Sequence, residues 1–140
     1  MKKHHLVRLA CLILSIFFLL PTAAATNGIQ PRYQEISALT SELHGISLAG
    51  RATCCGTVSL WLNSNCTVDL IVELQQSEDG VNNWSTIKSW SNSGDQFVAV
   101  EEYWYVDSGY YYRAATCAIV YDTDGNYIES DALSSAVFYY

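Results

Sequence analysis

Thr67-Val68-Asp69-Leu70-Ile71-Val72-Glu73-Leu74-Gln75-Gln76-Ser77 is the stretch that decides the fold. Val68, Leu70, Val72 and Leu74 fall on one side of an extended chain, and Asp69, Glu73 and Gln75 on the other, with Ile71 the exception. Period-two alternation buries one face and wets the other in an antiparallel strand, whereas a helix would scatter the same residues around its circumference. Toward the N-terminus, Gly56 to Leu62 repeats the pattern, with Val58, Leu60 and Leu62 opposite Thr57, Ser59 and Trp61.

Turn signals punctuate the chain on both sides. Asn63-Ser64-Asn65, Glu78-Asp79-Gly80, Ser93-Gly94-Asp95, Asp107-Ser108-Gly109 and Asp124-Gly125-Asn126 recur roughly every 15 residues, each with a residue that tolerates positive φ. Between them lie candidate strands at Trp84 to Trp90, Phe97 to Val106, Tyr110 to Tyr121 and Ala132 to Tyr140. A strand near Ile46 to Thr53, running into the one that ends at Leu62, brings the count to about seven. That spacing predicts an all-β, antiparallel sandwich of the immunoglobulin-like or fibronectin type III-like kind over 45–140. Ten Tyr and four Trp against two Pro agree with it, since aromatic rings suit a pleated, half-buried surface.

The first residues read as a targeting segment. Lys2, Lys3 and Arg8 precede the apolar run Leu9 to Leu20, Pro21 ends it, and Ala23-x-Ala25 supplies the small residues of a cleavage site. Twelve apolar residues would span only about 18 Å as a helix, short of the ~30 Å hydrocarbon layer. A signal peptide over 1–25 is therefore expected, with secretion to the cell exterior or surface and no stable membrane anchor after cleavage. The mature chain would have 115 residues and a charge of −10, since Lys2, Lys3 and Arg8 leave with the signal and all 14 acids stay. Arg32, Arg51, Lys88 and Arg113 would be its only basic side chains, which argues against nucleic acid and anionic membranes as partners. Residues 26–44 are polar and read as a leader or linker that adds at most an edge strand.

Several stretches resemble a family of small secreted proteins of Gram-positive bacteria, described as a domain of unknown function. They are Pro31-Arg32-Tyr33, Gly50-Arg51-Ala52-Thr53-Cys54-x-Gly56-x-Val58, Leu74-Gln75-Gln76-Ser77 through Trp84-Ser85-Thr86-Ile87-Lys88-Ser89-Trp90, and Gly109-Tyr110-Tyr111-Tyr112-Arg113. The resemblance implies an immunoglobulin-like sandwich and no assigned activity, so it transfers no functional residues. Cys55 and Cys117 depart from its pattern.

Chemistry-bearing residues are few. Secretion permits disulfides, and Cys66 with Cys117 is the pair that adjacent antiparallel strands could bring together; Cys54 and Cys55 are neighbours, so at most one faces the core. No paired Cys-x-x-Cys spacing exists and His44 is the single histidine after the signal, so neither a metal site, a cofactor nor a histidine-based nucleophile is expected. Asp122 to Asn126 lacks the spacing of a helix-flanked calcium loop and reads as a hairpin turn. Glu101-Glu102 reads as a solvated edge that discourages strand pairing. Tyr110 and Tyr112 resemble a tyrosine corner. Trp61, Trp90, Tyr103, Tyr105, Tyr111 and Tyr139 are candidates for outward-facing rings, with cross-strand pairing as the alternative to ligand contact. The expected function is a non-catalytic extracellular or cell-surface binding protein with a protein or polysaccharide partner. A small carbohydrate-binding module and a secreted inhibitor or toxin are the alternatives.

Overall fold

The structure, a computed structural model, describes residues 34–140. The expected signal peptide, its cleavage point and the first part of the leader lie outside the described residues. Eight strands follow in order: β1 (Ile36–Ile46), β2 (Arg51–Leu60), β3 (Thr67–Ser77), β4 (Ser85–Gly94), β5 (Phe97–Tyr105), β6 (Tyr111–Tyr121), β7 (Tyr127–Ser134) and β8 (Phe138–Tyr139). No helix occurs among the described residues.

The strands form two antiparallel sheets, β1-β2-β5 and β4-β3-β6-β7, with β8 also on β6. β7 and β8 pair with successive stretches of β6, so they act as one last strand interrupted at 135–137. A constant-type immunoglobulin domain keeps its fourth strand with the first, second and fifth. Here β4 pairs with β3 instead, giving the fibronectin type III partition of three strands facing four.

Burial follows the alternation. Val68, Leu70, Val72 and Leu74 of β3 are fully buried, as are Val58 and Cys54 of β2 and Ala114, Ala118 and Val120 of β6. Each such Val or Leu contributes roughly 1.5–3 kcal/mol by leaving water. Ile71, the exception in the pattern, points to the outer face opposite Cys117; it is buried but stands apart from the core cluster. At Gly56 of β2 the two sheets leave no room for a side chain. A Cβ there would meet Val72 Cγ2 at 2.5 Å and Thr116 Oγ1 at 2.7 Å, so only glycine fits.

Four of the five expected turns fall between strands; Ser93 and Gly94 of the fifth instead end β4, which leaves 95–96 to connect it to β5, and three further expectations shift. Ile36 to His44, read as part of the leader, belongs to edge strand β1 and gives Ile36 and Leu43 to the core, so the fold starts ahead of Gly45. Ile46 to Thr53, read as extended, contains the β1–β2 turn. Gly50 N–H donates to Ser47 O there, at φ 79° and with Val106 O 2.6 Å from where a Cβ would sit. The final strand begins at Tyr127 rather than Ala132, directly after the Asp122 turn.

The Cys66–Cys117 disulfide does not form, and none joins any two of the described cysteines. Cys117 stands opposite Ile71, five positions along β3 from Cys66, or about 17 Å at strand rise. A disulfide needs Cα atoms within about 7 Å. The two side chains also lie on opposite faces, because Cys66 continues the inward series of Val68 and Leu70 while Cys117 faces out with Ile71. Cys54 and Cys55 divide as expected, Cys54 into the core and Cys55 onto the outer face of the three-stranded sheet.

Candidate functional site

β5 reads Phe97-Val98-Ala99-Val100-Glu101-Glu102-Tyr103-Trp104-Tyr105. Its first half inserts Val98 and Val100 into the core, whereas every residue from Glu101 to Tyr105 is exposed. Pairing with β2 continues through Thr53↔Tyr103, Ala52↔Trp104 and Arg51↔Tyr105, so the strand stays in the sheet beside core residue Ala52 while its own side chains from Glu101 on stay exposed. Three successive rings are therefore presented to solvent: Tyr103 at 46%, Trp104 at 44% and Tyr105 at 61% exposure. Tyr103 and Tyr105 share one face, with ring centroids 6.0 Å apart and planes at 87°. Trp104 points the other way, across the open side of the sandwich toward β4.

Cations sit over these rings. Arg51 lies 4.2 Å above Tyr103, and Lys88 of β4 lies 4.3 Å above Trp104. A third contact places Arg113 4.2 Å above Trp84, with Arg113 Nε donating to Gln75 Oε1 at 2.9 Å. Residues 34–140 hold three basic side chains and all fourteen acids, a formal charge of −11. All three bases rest on aromatic faces, and the ion pair found between described residues is His44 with Glu42, at 3.6 Å. The acids thus keep an unneutralised field. Its centre on the three-stranded sheet is Cys55, which has Glu42 opposite it on β1 and Glu101 opposite it on β5. Burial raises the Cys55 thiol pKa first, and the charges of Glu101 and Glu42 raise it further. Burial pushes Cys54 up to about 12, helped by Cys55, so neither thiol is a ready nucleophile at neutral pH.

The expected outward rings separate into three groups. Tyr103 and Tyr105 come together on β5, while Trp61 and Tyr139 are exposed elsewhere, Trp61 just past β2. Tyr111 is half-buried, with its ring against Gly80 and 4.9 Å from that of Tyr139. Trp90 faces inward opposite Val72 and packs on the core, so it presents no ligand face. Trp104 and Phe97 were not among the expected rings, although both are exposed. Alternation places Trp104 on the inward side of β5, yet at this open edge of the sandwich it stays exposed beneath Lys88 of β4. Phe97 begins the strand beside a turn, where period-two counting has little context.

The corner and loops are structural. Tyr112 is fully buried and its hydroxyl donates to Asp107 O at 2.7 Å, tying the β5–β6 connection to β6 as a tyrosine corner does. Tyr110 is half-buried, and its N–H and C=O both bond the backbone of Tyr140. In the β6–β7 turn, Asp122 Oδ1 accepts from Asp124 N and Asn126 N, and Oδ2 accepts from Asn126 Nδ2. Its oxygens are engaged within the turn. In the β3–β4 loop, Asp79 Oδ1 accepts from Val81 N and Asn82 N, which with the Ser77 hydroxyl hold its carboxyl down at about 2. An open groove of about 480 Å³ beside it is lined by Gln76, Ser77, Glu78, Asp79, Asn83, Ser85 and Tyr110. No group of three or more His, Cys, Asp or Glu among the described residues is arranged to hold a metal ion. Comparison with known proteins found no matching family model and no similar curated protein.

Proposed function

We propose that the protein is a secreted, non-catalytic immunoglobulin-like binding protein, akin to the small Gram-positive family its sequence resembles, with an extracellular protein as its partner. The observation that carries this reading is the exposure of Tyr103, Trp104 and Tyr105 in succession on an edge strand, with Arg51 and Lys88 stacked beside them. Tyr, Trp and Arg are the side chains that dominate protein–protein contact energies, and a small acidic domain gains nothing in solubility by displaying three such rings. Sugar stacking needs open ring faces, and here cations already lie over Tyr103 and Trp104, which favours a protein partner over a polysaccharide.

The test immobilises the mature protein and Tyr105→Ala and exposes both to culture fluid of the source cells. One partner retained by the parent and lost from the variant is the expected result. Retention on insoluble cell wall, chitin or cellulose that drops with Trp61→Ala or Tyr111→Ala replaces the protein partner with a carbohydrate. Hydrolytic turnover that disappears on changing a single acid overturns the non-catalytic reading.

A further inference from the structure

We infer that the outer edge of β5 is a strand-addition site for an extended, lysine- or arginine-bearing segment of a partner protein. The inference deepens the reading above and rests on it. β5 ends the order β1-β2-β5, so among the described residues no strand is hydrogen-bonded along its other side, where β4 reaches it only through the Asn92 and Lys88 side chains. Alternation of the antiparallel ladder identifies the groups left on that side. Gln96 O accepts from Leu60 N, and Val106 N donates to Gly50 O, so even-numbered residues bond toward β2. Ala99 O accepts instead from Asn92 Nδ2 of β4, at 3.2 Å, which places odd-numbered residues on the outer side. Glu101, Tyr103 and Tyr105 therefore present their N–H and C=O groups outward, a half-ladder with no strand partner among the described residues.

The side chains on the same register select the occupant. Phe97, Ala99, Glu101, Tyr103 and Tyr105 share the outer face of the sheet, giving an aromatic, small, acidic, aromatic, aromatic series. Glu42 adds a second carboxylate two strands away in the row of Glu101, and Glu102 adds one on the other face of β5. Arg51, the basic side chain on this face, is already stacked on Tyr103. An added strand that offers a cation opposite Glu101 and apolar groups opposite Tyr103 and Tyr105 matches charge and shape together. A second copy of this chain does not: two antiparallel β5 edges meeting about Glu101 would oppose carboxylate to carboxylate, in a domain of charge −11. The acids that discourage self-pairing are thus the feature that recruits a basic strand. The edge of β4, rich in Ser and carrying Lys88, has no acid, and its one ring, Trp90, packs on the core.

The test uses an acetylated, amidated peptide of alternating lysine and valine, and its counterpart with glutamate in place of lysine. Binding is followed by backbone amide shifts and hydrogen exchange in the mature protein. The lysine peptide is expected to bind, to slow exchange of the Glu101, Tyr103 and Tyr105 amides by at least about tenfold, and to weaken as salt rises. The glutamate peptide is expected to give no binding. Tyr103→Pro removes an outward donor while leaving the β2 ladder intact, and should cost about tenfold or more in affinity. Glu101→Lys should abolish the preference between peptides without touching the backbone, which keeps the test decisive if the proline variant folds poorly. Equal binding of the two peptides, binding that leaves these amides exchanging freely, or no binding overturns the inference. A natural partner still captured through Tyr105 would then leave the wider reading standing, whereas loss of both removes both.

Discussion

The two sides of this sandwich finish their edges differently. On one side β1 and β7 border the two sheets, and Glu129 of β7 closes the gap. Its carboxylate accepts from three consecutive backbone N–H groups, Gln34 at 2.9 Å, Glu35 at 2.8 Å and Ile36 at 2.8 Å. One charged side chain thereby replaces the hydrogen bonds a neighbouring strand would supply, and pins the start of the fold. On the other side β4 and β5 touch through Asn92 with Ala99 O and Lys88 with Trp104, and the remaining edge of β5 is left open. An edge that only had to be protected would be closed as the first one is. The contrast is what the proposed binding site at β5 rests on, with Glu129 as the closure of the opposite side.

The strongest way to break the comparison is to part the sheets on which both sides depend. Gly56→Val would drive side-chain atoms into Val72 and Thr116, and should cost about 3 kcal/mol or more in chemical denaturation, if the variant folds at all. Glu129→Ala tests the closed side by itself. It leaves three N–H groups to water and should lower stability by about 2 kcal/mol, with amide exchange accelerating at Glu35 and Ile36 but not at Tyr103. Thr116→Val reverses the sign. Thr116 Oγ1 is buried at the seam beside Gly56 with no hydrogen-bond partner among the described residues, so removing that hydroxyl should raise stability by roughly 1 kcal/mol. Tyr105→Ala tests the open side and should shift stability by no more than about 0.5 kcal/mol while partner retention is lost. A large stability loss there would make the rings structural and erase the distinction.

The smallest effect is local and pH-dependent. The Asp79 carboxyl lies at about 2 in the fold against an ordinary 3.8, because backbone N–H groups of Asn82 and Val81 and the Ser77 hydroxyl favour its charged form. A depressed folded value contributes stability in full above about pH 4, and loses it as pH falls from there through about 2. Exchange at Val81 and Asn82 should therefore quicken across that window, and Asp79→Asn should flatten the dependence. The Glu129 contacts provide the internal comparison in the same spectra.

Some of this was legible in the chain itself. The inward series Val68, Leu70, Val72 and Leu74 survives intact, because alternation is a property of each strand and needs no knowledge of neighbours. The tyrosine corner was legible for a similar reason, since Tyr112 and Asp107 are five residues apart and meet through one turn. Glu129 left no local sign: its three partners are more than ninety residues earlier in the chain, and a lone Glu after a turn looks like any solvated acid. Trp90 and Trp104 both misled the pattern, one by facing the core and the other by facing inward at an edge that leaves it exposed. The expected Cys66–Cys117 bridge failed on register, which period-two counting does not fix across strands.

The sequence by itself determined the all-β class, the inward series of its central strands and the acidic balance, because these follow from side-chain period and composition alone. Only the tertiary structure decided which strand became an edge, which rings it left exposed there, and which charges met across sheets. Those depend on the register and order of strands far apart in the chain, so Tyr103, Trp104 and Tyr105 acquire a shared surface only once β5 has taken its place beside β2.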